Sequence, residues 1–376
     1  MEANRARSKS CRRLRPTLGH GMLECWSIGM LDKLERKIMR HKSLTVASRL
    51  SAVALCCLVP IALYAADAAP MKMRFAQSGH TSSSWPIYVA QQKKIFEKNG
   101  LDVEVILIRG STNLVRAVIS NTVPMGRINP DYVIGGIEKG AKMKIVSGIQ
   151  DKIAYDLMTR PEIKTGADLK GKTIGVSTLT GGTTLMVEEV LEKAYKLKDT
   201  DYKYLVVGTS PERYAALKGG SVHATFMGAP FNFTAAREGF NKLITFHEIL
   251  GPIQFTVDFA HQDFVKTNRD AIVRYLRSTI ESTAWLYDRK NKEEALAIHQ
   301  KVLKGTRPAA EQDYKFMVEE FQPFTRSGAV VKAAWDKTME LRAKEGHYKD
   351  KKVPPLGDFV DSTMIEEAQK LAGFKN

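Results

Sequence analysis

Beyond position 68 this chain of 376 residues has no cysteine; Cys11, Cys25, Cys56 and Cys57 all come earlier. The rest of the protein can therefore build no disulfide framework, no thiolate metal site and no thiol nucleophile. The six later histidines (His80, His223, His247, His261, His299 and His347) form neither a His-x-His nor a His-Glu-x-x-His pattern, and each reads as a surface or core residue. A Gly-x-Ser-x-Gly elbow and a Gly-x-x-x-x-Gly-Lys-Ser/Thr phosphate loop are also missing, which leaves hydrolase and nucleotide-triphosphatase readings without support. No catalytic residue, metal or cofactor is expected.

Long apolar runs are scarce. The one present, Leu50 to Tyr64, follows Met39-Arg-His-Lys and Arg49 and precedes the small residues of Ala66-Asp-Ala68. This is the layout of a secretory signal peptide over about 39–68, cut after Ala68. The run is short for a bilayer span and contains Pro60, so a permanent anchor is disfavoured. Residues 1–38 are longer than an ordinary n-region, so the start is expected at Met39 or Met30, and 1–68 is read as leader. Leu55, next to Cys56, occupies a position where lipidation needs a small residue. Acidic residues are in deficit, 41 against 57 Lys and Arg, a formal charge of +16. The leader carries 12 basic and 5 acidic residues, leaving +9 for the remainder. That surplus is dispersed, and its densest late run, Lys349-Asp-Lys-Lys, has no interleaved aromatic residues, so a solvated surface is expected and no nucleic-acid face.

What the chain does have is a strand, a polar loop and a helix start in Asp168-Leu-Lys-Gly-Lys-Thr-Ile-Gly-Val-Ser-Thr-Leu-Thr-Gly-Gly-Thr-Thr. Lys172 to Val176 is short and β-prone, and from Thr183 onward Met186, Val190, Ala194 and Leu197 recur at helical spacing. Hydroxyls and free N–H groups at such a helix start suit an anion or another acceptor; an ordinary capped turn would look the same. The setting occurs twice. Met71 to Gln77 leads into Ser78-Gly-His-Thr-Ser-Ser-Ser-Trp-Pro, with Ser84 and Pro86 suited to opening a helix. Phe75 to Gly110 is 35 positions and Ile174 to Gly208 is 34, and both glycines introduce a helix followed by a short strand and then Pro130 or Pro230. One plan used twice is the reading.

Strands are expected at 71–77, 101–108, 124–128 and 143–148, and helices at 85–98, 112–120 and 131–139. Around Ile149 to Pro161 the pattern loosens, which places a crossing there; a second is expected near Gly251-Pro-Ile-Gln-Phe, with Thr256 to Ala260 returning as a strand. After Asn268 the chain reads as helical and is expected to cover the first lobe. The fold class is α/β, with two Rossmann-like lobes joined by a two-crossing hinge around a central cleft. The lobes take 69–153 with 253–376, and 154–252.

Several segments resemble one family. Trp85-Pro-Ile-Tyr-Val-Ala, Ile95-Phe-Glu-Lys-Asn-Gly-Leu-Asp-Val-Glu-Val, Asp168-Leu-Lys-Gly-Lys-Thr-Ile-Gly-Val-Ser, Gly181-Gly-Thr and Ala215-Ala-Leu-Lys-Gly-Gly-Ser-Val are similar to the periplasmic substrate-binding proteins of ABC importers, in the branch with nitrate, sulfonate, taurine and thiamine-pyrimidine binders. Trp285-Leu-Tyr-Asp and Asn291-Lys-Glu-Glu-Ala fit the same branch, and the likeness runs over roughly 71–345. It implies a type II binding protein, monomeric and periplasmic, that closes on a small molecule and presents it to a permease with its ATPase.

The resemblance also implies site residues. The first loop matches Ser78, Gly79 and onward to Trp85, which either stacks on a flat ligand or seals the lobe core. The second matches Gly110, Ser111 and Thr112, and the third Arg127 to Asp131, where Asn129 can donate and accept. Gln150 falls where the first crossing enters the cleft. Ser177, Thr178, Thr180, Gly181, Gly182, Thr183 and Thr184 make the second lobe's grip, with Phe226 to Phe231 behind it. Arg127 either pairs with a carboxylate or sulfonate or, the favoured reading, points outward, and Asp131 is read as a helix cap. Two rivals stand beside capture: a thiamine-pyrimidine-synthase-like enzyme, whose family carries a Cys-rich iron motif missing here, and a sensory binding protein without transport.

Overall fold

The computed structural model describes residues 69–349 and 351–374. The expected leader, its cleavage point and all four cysteines lie outside them. Among the described residues no helix is long and apolar enough to cross a membrane.

Among the described residues ten strands form two five-stranded sheets. The first contains β1 (Met71–Gln77), β2 (Leu101–Leu107), β3 (Met125–Ile128), β4 (Met143–Gln150) and, much later in the chain, β10 (Thr256–His261); its order is β2-β1-β3-β10-β4. The second contains β5 (Tyr155–Thr159), β6 (Thr173–Val176), β7 (Lys203–Val206), β8 (Ala224–Gly228) and β9 (Asn241–Thr245), in the order β7-β6-β8-β5-β9. The two orders superpose strand for strand. In each sheet three parallel strands built from consecutive βα units meet one antiparallel strand that has just crossed from the other sheet, β10 in the first and β5 in the second. This is the plan used twice, executed as a two-lobed periplasmic-binding-protein fold.

Two details depart from the sequence reading. The segment where the pattern loosens contains β5, paired on both sides. The helix expected over 85–98 is two helices, Trp85–Gln92 and Ile95–Lys98, divided at Lys94, whose φ of 55° is left-handed.

The crossings lie side by side. Ile253 N donates to Asp151 O at 2.9 Å and Phe255 N to Gln150 O at 2.8 Å, so the two chains between lobes are hydrogen-bonded to each other at the hinge. The helix Arg269–Tyr287 and those after it pack Tyr275, Leu276, Leu296 and Met364 onto Met73, Phe75 and Trp85 in the first lobe's core, while Ile174, Val187, Phe226 and Phe246 centre the second. The helix Lys332–Lys344 touches both: Trp335 and Met339 join the first lobe's apolar cluster and Leu341 joins the second's.

Candidate ligand-binding site

The carboxyl ends of β1, β3, β6 and β7 face a cavity of about 110 Å³ between the sheets. Open α/β sheets place ligands at this end of their strands. By the space one water needs, the volume holds roughly seven to eleven water-sized groups, which suits a small molecule. Seven of the residues singled out in the sequence line it: Ser78, Gly79, Ser111, Arg127, Asn129, Ser177 and Thr183. Asn129 is held in place, since its amide nitrogen donates to Phe255 O at 3.1 Å and its oxygen accepts from Asp131 N at 3.1 Å, capping the helix Pro130–Glu138.

The other nine lie elsewhere, each for a visible reason. Trp85 is fully buried in the first lobe, its ring 4.4 Å from that of His299 and 6.0 Å from that of Tyr314, so it seals the core. Thr112 sits exposed on the second position of its helix. Gln150 is committed to the hinge, its side-chain oxygen accepting from Thr256 Oγ1 at 3.0 Å. Thr178 donates to Thr180 O at 3.0 Å and meets the Tyr132 hydroxyl at 3.1 Å; Thr184 donates back to Thr178 O at 2.7 Å; Thr180 is exposed. Gly181 and Gly182 supply the positive φ values, 72° and 57°, that turn the chain into the helix Thr183–Tyr195. The N–H of Gly182, expected to reach a ligand, donates instead to Asp131 Oδ2 of the facing lobe at 2.5 Å. Phe226 is buried behind the cavity wall.

What Phe226 does is position Arg213, which the sequence reading missed along with Gln77, Tyr132, Tyr155 and Thr209 on the same wall. The guanidinium lies 4.0 Å over the Phe226 ring and Nε donates to Phe226 O at 2.8 Å. Nη1 donates to Ser177 Oγ at 2.6 Å and Nη2 to Ser210 Oγ at 3.3 Å. Arg213 is 1% exposed, lines the cavity, and has no carboxylate within ion-pair distance among the described residues. Burial pulls its guanidinium below the ordinary range, partly offset by the neighbouring Tyr155, Tyr132 and Glu212. A buried cation without a counter-charge costs several kcal/mol, so a partner anion is strongly favoured. One sequence signal was available: a cation near the start of the helix Ser210–Lys218 opposes the helix dipole, which is unusual unless something negative comes to it.

Arg127 also borders the cavity, but its charge is already paired and only its Nη1 is left without a hydrogen-bond partner. Its Nε and Nη2 grip Asp258 at 2.7 and 2.9 Å, a bidentate pair buried in the sheet, and Ser147 and Tyr275 complete the row at 3.4 and 3.2 Å. Burial alone would lower this guanidinium, but the Asp258 carboxylate more than offsets it and raises it. The residue therefore points inward along the sheet face, correcting the outward reading.

The lobes are closed on each other. Besides Asp131 to Gly182, Ser82 N donates to Ala229 O at 3.2 Å and Lys344 Nζ reaches Glu189 at 2.8 Å. A buried Ser82, His299 and Asp313 trio does not make a nucleophilic triad: both partners converge on Asp313 Oδ2, at 2.6 and 2.8 Å, and His299 uses the same Nε2 for both contacts. It ties the first loop to the C-terminal helices.

Comparison with known proteins gives the same outline. YtlA of Bacillus subtilis, a candidate binding protein by name, is 25% identical over 231 residues, 59% of this chain and 68% of its own. The nitrate-binding protein NrtA from Synechocystis PCC 6803 superposes with a TM-score of 0.65 at 14% identity, over 81% of this chain and 89% of that one. The alkanesulfonate-binding protein SsuA from Xanthomonas axonopodis pv. citri, bound to MOPS, gives 0.61 at 15% identity, over 77% and 96%. The fold also hosts the desulfurization enzyme DSZB, with a TM-score of 0.58 at 12% identity over 80% and 99%. Residues 81–294 match the family described as NMT1/THI5 like, more than half of the sequence. The chain belongs to the NMT1/THI5 like family.

Proposed function

We propose that this protein is an extracytoplasmic solute-binding protein that captures a small anion between its two lobes and delivers it to the permease of an ABC importer. The observation that carries the reading is Arg213, a buried cation on the cavity wall held by neutral acceptors alone. The hydroxyls of Ser78, Ser111, Ser177, Thr183 and Thr209 surround the same space. Closure of one lobe on the other is stabilised by whatever the ligand binds better in the closed form. Capture is favoured over chemistry because the cavity wall, among the described residues, offers no carboxylate, imidazole or amine to move a proton; its phenols are those of Tyr132 and Tyr155, and burial pushes that of Tyr132 upward. The leader read from residues 39–68 supplies the export that delivery from outside the membrane requires.

The test is calorimetry on the purified protein with nitrate, alkanesulfonates and small carboxylates, alongside Arg213→Met. Truncating one partner of a buried ion pair costs about 3–5 kcal/mol, so Arg213→Met should weaken binding by two orders of magnitude or more. Equal affinity in the variant would overturn the reading. Delivery is checked by uptake of the same solute in cells lacking this chain, which should fall to the uncatalysed level.

A further inference from the structure

Capture of an anion leaves open what the rest of the ligand looks like, and the opposite wall of the cavity bears on that. Gln77, the last residue of β1, stands in register with Arg127 on β3, and both border the cavity. Gln77 is 2% exposed, and both Nε2 and Oε1 of its amide lack any hydrogen-bond partner in the protein. Such an amide can donate and accept at once, and a single group that does both, such as a second carboxamide, satisfies it from one side. The charge count of the wall is equally restrictive. Among the described residues Arg127 and Arg213 are its only charged ones, and Asp258 neutralises Arg127 from behind. The wall thus carries one net positive charge and, among the described residues, no acid to receive an ammonium group.

Resting on the capture reading above, we propose that the ligand is a monoanion whose far end is a neutral carboxamide-like group: Arg213 of the second lobe takes the negative charge and Gln77 of the first reads the amide. Dianions lack a second cation without a resident counter-charge, because Arg127, though its Nη1 has no partner, is neutralised by Asp258, and zwitterions would set an ammonium against a wall with no carboxylate. Because the two readers sit on different lobes, a molecule with both groups links the lobes, whereas a plain anion is gripped from one side. Gln77 is in this sense a specificity-determining residue.

Four probes of matched length separate the possibilities: succinamate, 4-methylpentanoate (the apolar isostere of its amide end), succinate and 4-aminobutyrate. Isothermal titration with the wild-type protein should give succinamate at least tenfold tighter binding than each of the others. Gln77→Leu should abolish the preference over 4-methylpentanoate without weakening that acid, and Arg213→Met should remove both. The wild-type series alone is decisive should the variants fold poorly. Equal binding of succinamate and 4-methylpentanoate, tightest binding of succinate or 4-aminobutyrate, no measurable binding of succinamate, or an unchanged preference in Gln77→Leu would each overturn the proposal. Anion binding that needs Arg213 and ignores Gln77 would sink the amide assignment alone; binding indifferent to Arg213 would remove the capture reading beneath it.

Discussion

Replacing Asp131 by Ala should open the protein. The residue is 8% exposed and its carboxylate is shared: Oδ1 takes the Arg342 guanidinium, and Oδ2 accepts from Gly182 N at 2.5 Å on the facing lobe. Gly182 is the N-cap of the 13-residue helix Thr183–Tyr195, so the bond is charge-assisted and aligned with the helix dipole. A hydrogen bond to a charged group contributes about 1.5–3 kcal/mol and a helix terminus a few tenths more. Only the Gly182 contact is broken on opening, so the substitution should shift the closed-to-open balance by about 2–3 kcal/mol, a factor of roughly 30 to 150. Arg342 is not left stranded, because Glu138 and Tyr348 still hold it. Small-angle scattering of the unliganded protein should show a larger radius of gyration in Asp131→Ala, and titration with the wild-type solute a weaker affinity by up to the same factor, since binding competence follows the closed fraction. Asp131→Asn keeps an acceptor without the charge and should fall between. If Asp131→Ala remains folded with both quantities unchanged, the contact does not control closure and the reasoning fails.

Three further outcomes are expected. Trp85→Ala should cost about 3–5 kcal/mol in urea unfolding while the folded fraction binds its solute with wild-type affinity; lost affinity at unchanged stability would return Trp85 to the ligand. Gly182→Val should weaken binding at least tenfold, because the residue holds φ 57° and a Cβ there would lie 2.7 Å from the Tyr132 ring, so the lobes cannot meet; normal binding would show that this approach is not needed. Burial, with the nearby Asp131 and Glu188, pushes the Glu345 carboxyl up to about 7 against the opposing pull of Arg342. A raised folded-state value means that its contribution to stability is complete below about 4.5 and lost as pH rises to 7; for a partly exposed group this is worth about 1 kcal/mol. Glu345→Gln should flatten the pH dependence of the urea midpoint across that window, and an unchanged slope would remove Glu345 as its source.

The parts of the fold legible in the sequence are those whose signal is local. Met71 to Gln77 alternates before a polar loop and is β1, with buried residues on one side until it enters the sheet centre. The paired spacings of 35 and 34 residues announced two sheets of one design. β5 escaped because Tyr155-Asp-Leu-Met-Thr is central, flanked by β8 and β9 and covered on both faces, so its side chains show no alternation. The loop hydroxyls of Ser78, Ser111, Ser177 and Thr183 were legible because turn chemistry is itself local. Gln77 stood at a strand end and Arg213 was not singled out; the role of the first depends on Arg127, 50 positions on, and that of the second on Ser177 and Phe226, 36 and 13 positions away.

The glycine loop of the second lobe shows why a donor can be read from sequence when its acceptor cannot. Gly181-Gly182-Thr183 promised free N–H groups at a helix start, and the structure keeps that promise with the protein's own Asp131 as the anion. Once a resident carboxylate holds this terminus in the closed form, an incoming anion has to find its charge elsewhere, and the cavity offers Arg213, whose guanidinium has neutral partners only. Closure and capture therefore draw on different positive ends. The first is met by the protein's own Asp131, and the second has neutral partners only. This division predicts that a Gly182 lesion and an Arg213 lesion fail differently, the first by opening the lobes and the second by leaving them able to close on nothing charged.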